Sequence, residues 1–130
     1  MEKTDKSDTP LAVVQSYFDA YAGKHWDRLV QVFAEDLRFE HHNRNFVCAT
    51  AAETIGILKV MGETLIPDRR YTQIRRMEAF GDLVVVEAGW EATATQDIPG
   101  FAKNGEHLKF DFCSLFTVKA GRIVKWDDYG

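Results

Sequence analysis

The chain is short of the features that announce most functions. It has only two cysteines, Cys48 and Cys113, in segments without metal-ligand spacing, so reduced thiols are expected in place of a disulfide framework. Basic residues do not prevail. Sixteen Lys plus Arg against 20 Asp plus Glu give a formal charge of -4, with no long basic cluster, which argues against nucleic-acid binding. Apolar stretches such as Leu83 to Val86 fall far short of the roughly 20 residues of a membrane span. Met1 to Asp8 has neither the apolar core of a secretory signal nor the Arg-rich, acid-poor character of a transit peptide, and reads as a flexible tail on a cytoplasmic protein. Glycine-rich phosphate loops are missing, and Ser114 lacks the G-x-S-x-G setting of a hydrolase nucleophile. His41 and His42 adjoin on a strand and point to opposite faces, while His25 and His107 lie in other elements, so no metal site is expected. The pairs Arg69-Arg70 and Arg75-Arg76 read as a solvated strand edge, with binding of an acidic ligand as the lesser reading.

What is present fits one α+β domain. At 130 residues and 45% hydrophobic content, the chain can bury roughly two-thirds of its unfolded surface in a single unit over residues 9–130. Thr9-Pro10 opens a helix that runs to about Ala22 and ends at Gly23, with Tyr17 at the edge of its apolar arc. A second helix is expected over Trp26 to Ala34, then a short strand Leu37 to His42 with Leu37, Phe39 and His41 inward. Thr50 and Glu53 form a capping box for a third helix, whose buried face is Ile55, Leu58, Met61, Gly62 and Leu65. Strands follow near Tyr71 to Phe80, Leu83 to Thr95, Glu106 to Val118 and Arg122 to Tyr129, turning at Gly81-Asp82 and Ala120-Gly121. In the last strand, Val124, Trp126 and Asp128 share one face and Ile123, Lys125, Asp127 and Tyr129 the other. The loop Gln96 to Gly105 could cover a pocket mouth.

Polar residues at inward positions are the functional signal. Within Leu108 to Val118 every even position is apolar except Ser114, and an inward polar group needs a partner or a cavity. Tyr17, His41 and Asp128 are placed in the same way. A neutral imidazole at His41 suits acid-base work near neutrality, Tyr17 could donate to developing negative charge, and Asp128 could hold the imidazole tautomer. Ser114, Phe39, Trp90, Phe112, Phe116, Trp126 and Met61 would line the pocket. The bland alternatives stand beside these: a core histidine with one hydrogen bond, a core tyrosine, a solvated strand-end charge at Asp128 and a hydroxyl bonded to backbone at Ser114.

The order of elements resembles the cone-shaped α+β superfamily of nuclear transport factor two, ketosteroid isomerase, limonene epoxide hydrolase and the SnoaL-type polyketide cyclases. Carrying the resemblance are Ala12-Val13-Val14-Gln15-Ser16-Tyr17, similar to the first helix of ketosteroid isomerase, and the superfamily hallmarks Val32-Phe33-Ala34-Glu35-Asp36 and Gly121-Arg122-Ile123-Val124-Lys125-Trp126. It implies three helices packed in the concave face of a strongly curved, mainly antiparallel sheet, forming a cone with an internal pocket. Ketosteroid isomerase works with an Asp base and a Tyr and protonated Asp in its oxyanion hole. Here Tyr17 keeps the Tyr, the base position falls on His41, and the oxyanion Asp aligns on Ser114 or Cys113. The end of the chain, Trp126-Asp127-Asp128-Tyr129, is similar to the last strand of the epoxide hydrolases, whose Arg and Asp partners fall on Ala88 and Trp90. The resemblance therefore implies cofactor-independent proton transfer, as in an isomerase, cyclase or dehydratase, on a small hydrophobic carbonyl compound. Its alternative is a ligand-binding or protein-interaction domain using the same cone without chemistry. A homodimer through the outer sheet face, at Val85, Gly89, Cys113 and Leu115, is also expected.

Overall fold

The computed structural model describes residues 9–130, so the expected tail over residues 1–8 lies outside the described residues. Thr9 caps helix α1, Pro10–Gly23, by accepting from the Ala12 N–H at 3.3 Å, and Pro10 occupies a position where its missing N–H costs nothing. Val13, Val14, Tyr17, Phe18, Ala20 and Tyr21 are buried, which puts Tyr17 inside the apolar stripe instead of at its edge. The helix stops on Lys24, left-handed at φ 55°, one residue past the expected Gly23. Helix α2, Trp26–Val32, is shorter than its sequence suggests. Phe33 already belongs to strand β1, Phe33–His41, where Phe33, Leu37, Phe39 and His41 face inward as alternation requires.

A 3₁₀ turn, His42–Arg44, leads to the three-residue strand β2, Phe46–Cys48, which is too short to carry a pattern. Helix α3, Ala51–Val60, begins with Thr50 accepting from the Glu53 N–H at 3.1 Å and gives way to a wider π turn over Met61–Leu65. Its inner face differs in part from the expected one: Gly62 is buried as expected, Ala51 and Thr54 are buried as well, and Ile55, Leu58, Met61 and Leu65 are only half-buried. Strands β3 (Arg70–Phe80), β4 (Leu83–Thr93), β5 (His107–Lys119) and β6 (Arg122–Tyr129) complete the chain.

The sheet order is β2-β1-β6-β5-β4-β3, antiparallel except for the parallel pair β1 and β6. Register shifts interrupt β3 twice, β1 once and the β5–β6 pair at Thr117/Val118, and such bulges bend a sheet. The curved sheet and three helices form an α+β cone. The last bulge corrects one expectation: Ile123 lies inside, fully buried, in the same core as Trp126. A large apolar cluster fills the cone between α1, α2 and the sheet, and a second gathers Ile66, Trp90, Ala92, Ala94 and Leu108 below the 94–106 loop. Among the described residues no helix is long and apolar enough to cross a membrane.

Candidate functional site

Ser114 and Asp128 stand opposite each other where β5 pairs with β6. The Ser114 hydroxyl donates to Asp128 Oδ1 at 2.5 Å, and the Trp126 indole N–H, two residues back on the same strand, donates to the same oxygen at 2.6 Å. Both bonds converge on Oδ1; among the described residues nothing donates to Oδ2. Asp128 is 5% exposed. Burial pushes its carboxyl up to about 6, a rise that the bonds from Ser114 and Trp126 oppose and the charge of Asp127 reinforces.

Three phenols share this compartment. Tyr17 is 0% exposed, with the rings of Trp126 at 4.9 Å, Phe18 at 5.0 Å and Phe116 at 5.3 Å around it. Its hydroxyl lies 3.1 Å from that of Tyr71 on β3, and the Trp90 indole donates to the Tyr21 hydroxyl at 2.8 Å. Burial holds Tyr17 and Tyr71 well above the ordinary tyrosine range and lifts Tyr21 to about 12, with Asp128 adding to the rise in all three. These phenols keep their protons throughout the pH range in which Asp128 ionises.

His41 is the backbone partner of Asp128 across the parallel β1–β6 pair, yet neither ring nitrogen of His41 makes a hydrogen bond. The expectation that Asp128 orients His41 is thereby corrected: the carboxylate is held by Ser114 and Trp126, and the imidazole edge meets Phe112 at 5.5 Å instead. Burial, then the charges of Arg44 and His42, lower His41 to about 4, so it is neutral at physiological pH. The expected wall residues fall into two groups. Phe39 and Phe116 pack on Trp126, at 4.2 and 5.4 Å, whereas Trp90, Phe112 and Met61 belong to the cluster below the 94–106 loop.

Two hollows lie elsewhere. One, an open depression of about 630 Å³, is lined by the Asp97 to Glu106 loop, and one of about 340 Å³ sits between α1 and β3, walled partly by Tyr21, Arg69 and Tyr71. Neither is lined by His41, Ser114 or Asp128, and Tyr17, with no exposed surface, adjoins no water-sized space. Arg69 also departs from its expected solvated edge. It is 5% exposed, donates to the Tyr21 carbonyl at 2.6 Å and lies over the Tyr21 ring at 4.0 Å. Arg70, Arg75 and Arg76 do form solvated pairs, with Glu91, Asp111 and Glu87.

Among the described residues the ligand atoms of Glu40, His42 and Asp127 come within 4.8 Å of one another and could hold a cation. His42 opens the 3₁₀ turn just beyond β1, and its Nε2 meets Asp127 at 2.8 Å while its Nδ1 meets Glu40 at 3.2 Å. Arg38 and Lys125 already engage the same two carboxylates, at 3.3 and 3.7 Å, so a cation would have to displace them.

Sequence reasoning missed Tyr21, Tyr71 and Arg44. Tyr21 lies four residues after Tyr17 on the buried stripe of α1, where nothing in the spacing marks a polar role, and the register shift between Tyr71 and Gln73 hides the facing of Tyr71. Arg44 lies in a three-residue turn with no period to read.

Comparison with solved structures agrees with this architecture. A candidate polyketide cyclase from Xanthomonas campestris pv. campestris superposes with a TM-score of 0.80 at 21% identity, covering 93% of this chain and 89% of that one. An LEH-like epoxide hydrolase from M. tuberculosis gives a TM-score of 0.74 at 21% identity, covering 92% of this chain and 80% of that one. A protein with a ketosteroid isomerase-like fold from Catenulispora acidiphila, solved with trimethylamine, gives 0.73 at 19% identity, covering 91% and 84%. At such identities the likeness speaks for the fold. No curated protein matches the chain. The sequence model of the SnoaL-like domain, in contrast, matches residues 14–126, and the chain belongs to that family.

Proposed function

We propose that this protein moves a proton on a small hydrophobic, carbonyl-bearing molecule without a cofactor, as an isomerase, cyclase or dehydratase does. The observation that carries the reading is Asp128, a buried carboxyl whose Oδ1 is held by Ser114 and Trp126 while Oδ2 takes no hydrogen bond among the described residues, and which burial pushes up to about 6. Asp128 Oδ2 takes a proton from the carbon beside the carbonyl and returns it to another atom of the same molecule. Tyr17 and Tyr71 share one hydrogen bond between two hydroxyls, so one phenolic proton of the pair remains to donate to the developing oxyanion. His41, neutral, offers one donor and one acceptor on the strand beside Asp128. Phe39, Trp90, Phe112, Phe116 and Trp126 supply an apolar wall, and the rings around Tyr17 must part to admit a ligand to the phenol.

A bicyclic aryl ketone such as 1-tetralone tests this through exchange of its α-protons in deuterated buffer, followed by proton NMR. Asp128→Asn should slow the protein-catalysed exchange about 100-fold or more, the scale on which a positioned acid or base contributes. An unchanged rate in that variant, or no wild-type rate above buffer, favours the second reading, a binding cone without chemistry. The sealed position of Tyr17 and the placement of the two hollows speak for that reading.

The proposal includes a cytoplasmic location, where the free thiols of Cys48 and Cys113 stay reduced. It also includes a homodimer through the outer sheet face, where half-buried Val85, Cys113 and Leu115 lie on the sheet that carries the Arg75–Asp111 and Arg76–Glu87 pairs. Sedimentation giving a monomer at high concentration contradicts the dimer.

A further inference from the structure

Three buried side-chain atoms lack a hydrogen-bond partner among the described residues: both ring nitrogens of His41 and Nε of Arg44. They flank one turn, His42–Arg44, and His41 is 9% exposed. Each side chain rests on a ring of the same strand. The His41 ring meets Phe112 edge-on at 5.5 Å, and the Arg44 guanidinium lies 4.5 Å from the centre of Phe110. Phe110 and Phe112 are two residues apart on β5, hence on one face, with centroids 5.8 Å apart. Trp90 extends the shelf, stacked on Phe110 at 5.8 Å, and Phe101 from the 94–106 loop meets Arg44 from another side at 5.0 Å.

Arg44 has no carboxylate and no hydrogen-bond acceptor among the described residues, in contrast to Arg69, which the Tyr21 carbonyl satisfies, and to His42, which two carboxylates clamp. Buried donors without partners are costly, and a guanidinium is a planar fork of donors matched to a carboxylate. The guanidinium also repels metal cations. We propose that His41 and Arg44 form a subsite for the carboxylate of a planar aromatic molecule. The guanidinium takes the carboxylate, one N–H of His41 donates to it, and the ring lies on the shelf of Phe110, Phe112 and Trp90. One positive charge beside a neutral imidazole matches a monoanion. Because His41 is paired in register with Asp128, a molecule anchored here presents its neighbouring atoms to that carboxyl. The catalytic meaning of the subsite rests on the proton-transfer reading; its binding does not.

Equilibrium binding of 2-naphthoate and of its uncharged analogue 2-naphthamide to the full chain, by calorimetry at pH 7.5, tests the subsite. The carboxylate should bind about tenfold more tightly, the scale of a charge-assisted hydrogen bond. Arg44→Gln should bring the two probes within twofold of each other while amide binding and the circular dichroism spectrum hold, and Arg44→Lys should keep part of the preference. Equal affinities in the wild type, no binding of either probe, or a preference that survives Arg44→Gln overturns the proposal. Asp128→Asn separates the two claims, since it should retain at least the wild-type preference for the carboxylate even where proton exchange is lost.

Discussion

At the Tyr17 end of the interior the phenols, the indoles of Trp90 and Trp126, the hydroxyl of Ser114 and one oxygen of Asp128 all hold partners, whereas at the Arg44 end both nitrogens of His41 and Nε of Arg44 are buried without a hydrogen bond among the described residues. The two ends meet at one rung of the sheet, where His41 is paired in register with Asp128. Burial acts on both residues in the direction of neutrality, raising Asp128 to about 6 and lowering His41 to about 4. What differs is the polar support. Ser114 and Trp126 make an ionised Asp128 tolerable, while none of the described residues hydrogen-bonds His41. A site for proton transfer needs the first arrangement, and a site waiting for a ligand resembles the second.

The largest expected effect separates the two ends by pH. Asp128 holds its proton more tightly folded, at about 6, than unfolded, near 4, so its contribution to stability is present at low pH and lost as pH rises through 6. His41 does the reverse: its folded value of about 4 lies below the unfolded value near 6.5, so its contribution is present above 6.5 and lost as pH falls toward 4. In the wild type these slopes oppose each other. Asp128→Asn removes one of them and should change the wild-type-to-variant stability difference by about 2 kcal/mol between pH 4 and pH 7, read by urea unfolding. A pH-independent difference would show that Asp128 titrates as an exposed carboxyl.

Ser114→Ala takes a donor from the buried carboxylate and should destabilise the fold by about 1–2 kcal/mol at pH 7.5, with the Asp128 titration moving further up. No change in either quantity would mean that the Ser114 bond supports nothing.

The smallest pair of effects should have opposite signs. Tyr17→Phe strands the Tyr71 hydroxyl and should cost about 1 kcal/mol, whereas His41→Phe removes two unpartnered nitrogens and should gain about 1 kcal/mol at pH 7.5. Thermal or urea unfolding of both variants decides, and losses of equal size would erase the distinction between the two ends.

Strand alternation made much of this legible. The period of two in Leu83 to Thr93 and around Ser114 follows directly from which positions face the core, and Ser114 stood out because it broke that period. The inward facing of Leu37, Phe39 and His41 came from the same rule. Legibility ended where the backbone departs from regularity. The shift at Thr117/Val118 carries Ile123 to the inside, and the shift between Tyr71 and Gln73 conceals the tyrosine that bonds Tyr17. For Arg69 charge alone suggests solvent, while a long side chain can bury its stem and spend its donors on a carbonyl and a ring. The partner of Asp128 is hidden from the sequence for a related reason. Register brings His41 alongside it, but hydrogen bonding is decided by side-chain reach, and Ser114 and Trp126 reach Oδ1.

Carbon-detected NMR titration of the Asp128 carboxyl, assigned by its loss in Asp128→Asn, tests the central claim most directly. A midpoint near 6 is expected. A midpoint at or below 4, the value of an ordinary solvated aspartate, would contradict it.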